Sequence, residues 1–135
     1  MYNYLKDNRG KLLVLPLFIY WFALLIGTSL PSDVSVEIFE LSDKLKHFLA
    51  YLILAFLLGL NLHFQEKWEF ASKNYFFITL LITVIYGAAD EIHQIWIPNR
   101  SAEFYDWLAD LLGSLLGIIF AKYFIHFLCK FKTIS

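Results

Sequence analysis

The chain has a single cysteine, Cys129, which excludes a disulfide within it. Its place near the last apolar segment predicts an inert thiol. Charge is scarce as well. Charged residues are 17% of the 135 positions and leave a net charge of −1. Without a broad basic field, nucleic acid is not expected as a partner. Internal repeats and low-complexity tracts are missing, and the length predicts one domain over 1–135. No H-E-x-x-H pair, nucleophile elbow or phosphate-binding glycine loop is present. What the chain does have is apolar surface. It is 59% hydrophobic and 19% aromatic, with a mean hydropathy of +0.60. Ordinary soluble domains average about 45–50% apolar residues. An integral membrane protein is therefore expected.

Four apolar runs predict four transmembrane helices, at about 12–30, 43–64, 75–97 and 102–128. The first carries no charge from Leu12 to Leu30, long enough to span a ~30 Å hydrocarbon core. Basic residues precede it, as in a signal peptide, but it is longer than a typical signal core and lacks a clear small-x-small cleavage site. An uncleaved helix is expected. Pro16 lies in its first turns, where proline is best tolerated. The fold class is all-α, a four-helix transmembrane bundle.

Lysine and arginine set the expected topology. Lys6, Arg9 and Lys11 precede the first run, Lys67 and Lys73 join the second and third, and Lys130 and Lys132 end the chain. The other two connections are acidic or carry only Arg100 between Asp90 and Asp110. Both termini should be cytoplasmic. Trp96, Tyr105 and Trp107 then suit the outer interface, Trp68 and Tyr75 the inner one, and Trp21 a packing position. Ser32 is expected to cap an interfacial turn over Asp33–Leu41, with Val34, Ile38 and Leu41 on one side. Pro98-Asn99 should turn the chain after helix three, and Ser101 should cap helix four.

Ionisable residues inside apolar segments cost about 2.5–3.5 kcal/mol each on insertion scales, so they mark function by default. Here they gather at one membrane face. At about 100° per residue, Tyr86, Gly87, Asp90 and Gln94 share one side of helix three, with Glu91 and His93 on opposite flanks. Asp106, Asp110, Gly113 and Gly117 make a narrow stripe on helix four. Asp43, Lys44, His47 and Tyr51 form an arc on helix two. Gly113 and Gly117 form a GxxxG pair that should pack against helix three or two. Crowded carboxylates repel, so at least one is expected to be held by Arg100 or Lys44 or to carry a proton. The expected pocket thus comprises Asp43, Lys44, His47, Tyr51, Tyr86, Asp90, Glu91, Gln94, Arg100, Asp106 and Asp110. His63 and His126 read as ordinary interfacial residues. A purely structural polar network is the blander alternative.

The run Tyr86-Gly-Ala-Ala-Asp90-Glu91-Ile-His93-Gln94-Ile-Trp-Ile-Pro98-Asn99-Arg100-Ser101, followed by Asp106, Asp110, Gly113 and Gly117, resembles the signature of the VanZ-like family. The earlier Asp43-Lys44-Leu-Lys-His47-Phe-Leu-Ala-Tyr51 is similar to the family's DK-x-x-H segment. Together they cover roughly residues 43–120. Asn99 departs from the pattern, which often has glycine there. The resemblance implies a small multi-pass protein of the bacterial cytoplasmic membrane. The family's namesake is linked to teicoplanin resistance, and the resemblance carries no assigned biochemical activity.

Three functions from different classes follow. The first is an envelope accessory protein whose outward pocket binds a lipid headgroup, a cell-wall precursor or a glycopeptide antibiotic. The second is a membrane-embedded enzyme, with His47, Asp90, Glu91 and His93 as catalytic candidates. His47, Asp90 and His93 are candidate ligands if a divalent metal is used, although the sequence requires no cofactor. The third is a small transporter or proton relay, for which four helices are few unless the chain oligomerises.

Overall fold

The computed structural model describes residues 1–30 and 43–132, and each element in it is helical. The expected turn over Asp33–Leu41 and its Ser32 cap lie outside the described residues. A short helix α1 (Tyr2–Asp7) leads through a π-helical turn at Gly10–Val14 into α2 (Leu15–Ser29). Helix α3 (Asp43–Phe64) follows, then a short α4 (Glu69–Lys73), α5 (Tyr75–Gln94) and α6 (Phe104–Lys132). Four spans are long and apolar enough to cross a membrane: Gly10–Ser29, Asp43–Phe64, Tyr75–Gln94 and Phe104–Lys130. These are the four runs of the sequence. The widened turn precedes Pro16, whose missing N–H leaves the preceding turn without one regular bond.

Two helix ends differ from expectation for tertiary reasons. Helix α5 ends at Gln94 rather than Ile97, because the amides of Ile95, Trp96 and Ile97 bond three residues back, to Ile92, His93 and Gln94. Helix α6 starts at Phe104, so Ser101 lies outside its first turn and does not cap it. The Glu103 amide instead donates to Glu91 Oε2 of α5, at 2.8 Å. Between these ends, Asn99 adopts a left-handed conformation with φ 60°, which asparagine tolerates better than most residues.

Helix α3 packs most extensively along α6, and glycine decides how closely. A Cβ at Gly113 would fall on the Phe48 carbonyl, and one at Gly117 on the Leu52 carbonyl. The partner is helix two of the sequence reading, and the backbones touch where those glycines sit. Lipid gives helices little hydrophobic drive to associate, so such close approach supplies the van der Waals contact that holds them. Helix α5 shows the inversion that lipid imposes. Phe77, Leu81, Ile85 and Ile92 are exposed along its outer side. Thr79, Thr83, Gly87, Asp90 and Gln94 are buried along its inner side.

The helices alternate in direction, which sorts the interior into two ends. One end is sealed by Leu13, Leu60, Phe64, Ala121, Ile125 and Leu128. Nearby, the Asn61 amide donates to the Leu13 carbonyl at 2.8 Å and to Leu57 at 3.0 Å, tying the start of the first span to α3. The middle is filled by Leu17, Tyr51, Leu54 and Leu58, with Trp21 edge-on against Tyr86 at 5.2 Å. Trp21 is a packing residue, as expected. Trp107 is not simply an interfacial ring. It is half-buried, and its indole N–H donates to the Val84 carbonyl at 3.2 Å. His63 is also half-buried, with its ring against Tyr2, Phe64 and Tyr75.

Candidate functional site

The other end holds the ionisable residues, and three helices supply them at one depth. His47 sits one turn into α3, Asp90, Glu91 and Gln94 in the last turns of α5, and Asp106 and Asp110 in the first turns of α6. All six are buried. His47 Nδ1 lies 3.0 Å from Asp110 Oδ1 and 3.8 Å from Glu91 Oε1. Asp110 fits because Gly87 faces it. A Cβ there would stand 3.0 Å from Asp110 Oδ2. Glycine at 87 therefore makes room for the carboxylate, a role its place beside Tyr86 in the sequence did not disclose.

Lys44 is the cation that meets the acids. Its Nζ is 3.0 Å from Glu103 Oε2 and 3.3 Å from Asp106 Oδ1. Arg100 does something else. Its guanidinium donates to the carbonyls of Leu30 at 3.1 Å and Gly27 at 3.3 Å, tethering the end of α2 to the turn between α5 and α6. Of the two cations offered for the crowded carboxylates, Lys44 is therefore the one that meets a buried acid among the described residues. The last carbonyls of a helix lack intrahelical partners and are natural acceptors for a guanidinium.

Beside this acid cluster lies a cavity of about 700 Å³. Its α2 side is Tyr20, Ala23, Leu24, Gly27 and Thr28. Its opposite walls carry Asp43, Lys46, His47, Ala50, Tyr51, Tyr86, Asp90 and Gln94, with Asn99, Arg100, Ser101 and Glu103 at the end of the bundle. The predicted residues therefore divide. Asp43, His47, Tyr51, Tyr86, Asp90, Gln94 and Arg100 line the cavity, while Lys44, Glu91, Asp106 and Asp110 stand behind it. His47 belongs to both groups. Its Nδ1 lies against the acids while the residue also lines the cavity. Several buried atoms around the site have no hydrogen-bond partner among the described residues, including Tyr51 Oη, Asp90 Oδ2, Gln94 Nε2 and Glu91 Oε1.

Metal-ligating geometry occurs in two overlapping sets, Asp43–His47–Asp106 and His47–Glu91–Asp110, each with donor atoms within 4.8 Å of one another. The set suggested by spacing, His47 with Asp90 and His93, does not form. His93 is half-buried on the flank of α5, away from the cavity lining. Asp90 faces the cavity instead.

The model of the VanZ/LLP1 family matches residues 9–127. The chain belongs to that family. No curated protein and no solved structure matches it. Family membership and the four apolar spans make it a multi-pass membrane protein of VanZ type. On this VanZ/LLP1 chain the signature residues have separable geometric roles. Gly113 and Gly117 set the α3–α6 approach, Asn99 makes the turn, and His47, Asp90 and Asp110 converge from three helices.

Two contributors were not read from the sequence. Glu103 both bonds Lys44 and donates its amide to Glu91. It continues the stripe Asp106, Asp110, Gly113, Gly117 by one helical step backward, so the spacing carried a usable signal. The α2 wall carried none, because Ala23, Leu24 and Gly27 look like any other apolar residues of a span.

Proposed function

We propose that this VanZ-type protein binds the polar headgroup of a membrane amphiphile, such as an envelope lipid or a lipid-linked cell-wall precursor, in the cavity beside α2. One observation carries the reading. Tyr51, Asp90 and Gln94 line one cavity, and each has a buried polar atom (Tyr51 Oη, Asp90 Oδ2, Gln94 Nε2) with no hydrogen-bond partner among the described residues. Polar atoms left unpaired in an apolar bundle are costly, and a headgroup rich in hydroxyl or amino groups would supply the missing bonds. The α2 wall adds the apolar Ala23 and Leu24, which an alkyl segment of an amphiphile can meet. A volume of about 700 Å³ falls within the usual range for small-molecule pockets, about 300–1,000 Å³. That size favours a headgroup over an intact glycopeptide antibiotic, so an antibiotic-resistance role would act through an envelope molecule. The lysine distribution supports a cytoplasmic N-terminus and C-terminus, which turns the cavity outward. Cysteine labelling at Asn99 from outside intact cells tests that orientation, with Lys67 as the inner control.

The binding test uses the protein purified in its own membrane lipid and mass spectrometry of what stays bound. The wild-type chain is expected to retain a defined lipid species. Asp90→Asn combined with Gln94→Leu is expected to release it. Identical bound lipid in both proteins would refute the assignment.

A second reading has its own observation. The 3.0 Å His47–Asp110 contact orients an imidazole in the cavity wall, the arrangement of a general base held by a carboxylate. His47→Gln would then preserve lipid retention and abolish turnover of the headgroup. Transport has less support, because the apolar plug around Leu60, Phe64 and Ile125 occupies the other end of the bundle.

A further inference from the structure

We infer that His47, Glu91 and Asp110 form a binding site for a divalent transition-metal cation of the zinc or manganese type. The three side chains come from α3, α5 and α6, and all are more than nine-tenths buried. Nδ1 of His47 stands 3.0 Å from Asp110 Oδ1 and 3.8 Å from Glu91 Oε1, and the third separation is below 4.8 Å. Zinc bonds of about 2.0–2.2 Å put two ligands of one tetrahedral ion roughly 3.4 Å apart. The observed separations bracket that value, so an ion needs only small side-chain adjustments.

Hydrogen bonding supports the same set. Glu91 Oε2 is fixed by the Glu103 amide at 2.8 Å, whereas Oε1, turned toward His47 at 3.8 Å, is buried with no hydrogen-bond partner among the described residues. An outer bond that orients a carboxylate while its second oxygen stays unused is the usual support for a ligand. Charge balance agrees. Lys44 reaches Glu103 and Asp106, not Glu91 or Asp110. Two carboxylates with a neutral imidazole carry two negative charges, and one divalent ion offsets both. The overlapping set through Asp43 and Asp106 is weaker, since Asp43 is exposed and Asp106 already meets Lys44. One imidazole among oxygen donors favours zinc or manganese over calcium or magnesium. Three protein ligands also leave the ion an open position. The inference stands without the headgroup reading, because the site can hold an ion whether or not the cavity holds a lipid.

The test uses the full chain in lipid nanodiscs, freed of metal by a chelator. Manganese is titrated and followed by electron paramagnetic resonance. One ion should bind per chain, and zinc should displace it. The spin-echo spectrum of the bound ion should show coupling to an imidazole nitrogen. Glu91→Gln keeps an acceptor for the Glu103 amide and should weaken binding roughly tenfold or more. Asp43→Asn should leave binding unchanged. No saturable binding at millimolar manganese by helical, monodisperse wild-type protein would overturn the assignment, as would a bound ion without nitrogen coupling. A loss caused by Asp43→Asn rather than Glu91→Gln would also overturn it. If Glu91→Gln does not fold, the nitrogen coupling in the wild-type chain together with unchanged binding in Asp43→Asn decides, since His47 is shared with the set through Asp43 and Asp106.

Discussion

The two ends of the bundle differ in degree in how they treat buried polar groups. At the end near Leu13 and Phe64, several polar side chains are bonded to the backbone, although Arg9 Nε, Asn61 Oδ1 and His63 Nδ1 are buried with no hydrogen-bond partner among the described residues. Asn61 donates to Leu13 and Leu57, Ser72 to the His63 carbonyl at 2.8 Å, and Thr79 to the Tyr75 carbonyl at 2.6 Å. Gln65 both donates to and accepts from the backbone of Trp68. At the end near His47, the acids outnumber the cations that meet them, and Asp90, Glu91 and Gln94 each present a buried atom with no partner among the described residues. The first end ties helices together through these bonds, and the second gathers the larger number of unpartnered polar atoms among the described residues.

Changes to the helix contacts should have the largest effect. Gly113→Leu drives a side chain into the Phe48 carbonyl and should exceed the ~1–3 kcal/mol typical of an overpacked core. The expected result is loss of a monodisperse peak on size-exclusion chromatography. A well-folded Gly113→Leu protein would mean that the α3–α6 approach is looser than the glycines imply.

Next comes the end near Leu13 and Phe64. Asn61→Leu removes the tie to Leu13 and should lower stability by roughly 1–1.5 kcal/mol, in line with interhelical hydrogen bonds in membranes. Thermal unfolding in one fixed detergent measures it. No change would erase the contrast between the ends.

Arg100→Ala comes third. It frees the carbonyls of Gly27 and Leu30, and partial exposure limits the expected loss to roughly 1 kcal/mol. The specific signature is faster hydrogen exchange at the end of α2, with α5 and α6 unchanged. Arg100→Lys should give an intermediate rate, since lysine keeps the charge but not the fork. Uniform exchange across all helices would deny the tether. Lys44→Met is expected to have the smallest effect on thermal unfolding, because the side chain is half exposed and its pairing is screened by solvent. Raising the salt concentration should shrink the difference further.

These variants also mark how far the sequence could be read. The spans were legible because charge-free apolar stretches of membrane length have few other uses. The inward faces of α5 and α6 were legible because helical spacing places Asp90 with Gln94, and Asp106 with Asp110, on one side each. The acceptors of Arg100 were not legible, because they are carbonyls that only the folded bundle brings near. The start of α6 was misread for a similar reason, since the Glu103 amide bonds across to α5 rather than to Ser101. Of the candidate donors His47, Asp90 and His93, the last two rest on spacing within one helix, which cannot show that the buried carboxylates approaching His47 among the described residues come from helices other than its own.

The account rests on the claim that the unpartnered atoms beside the cavity are kept for a ligand and not for folding. Asp90→Asn tests it most directly, with thermal unfolding and retained lipid measured on the same sample. The substitution removes a charge from an apolar bundle, so the unfolding temperature should hold or rise while the bound lipid is lost. A fall comparable to that of Asn61→Leu, with the lipid still in place, would contradict the account.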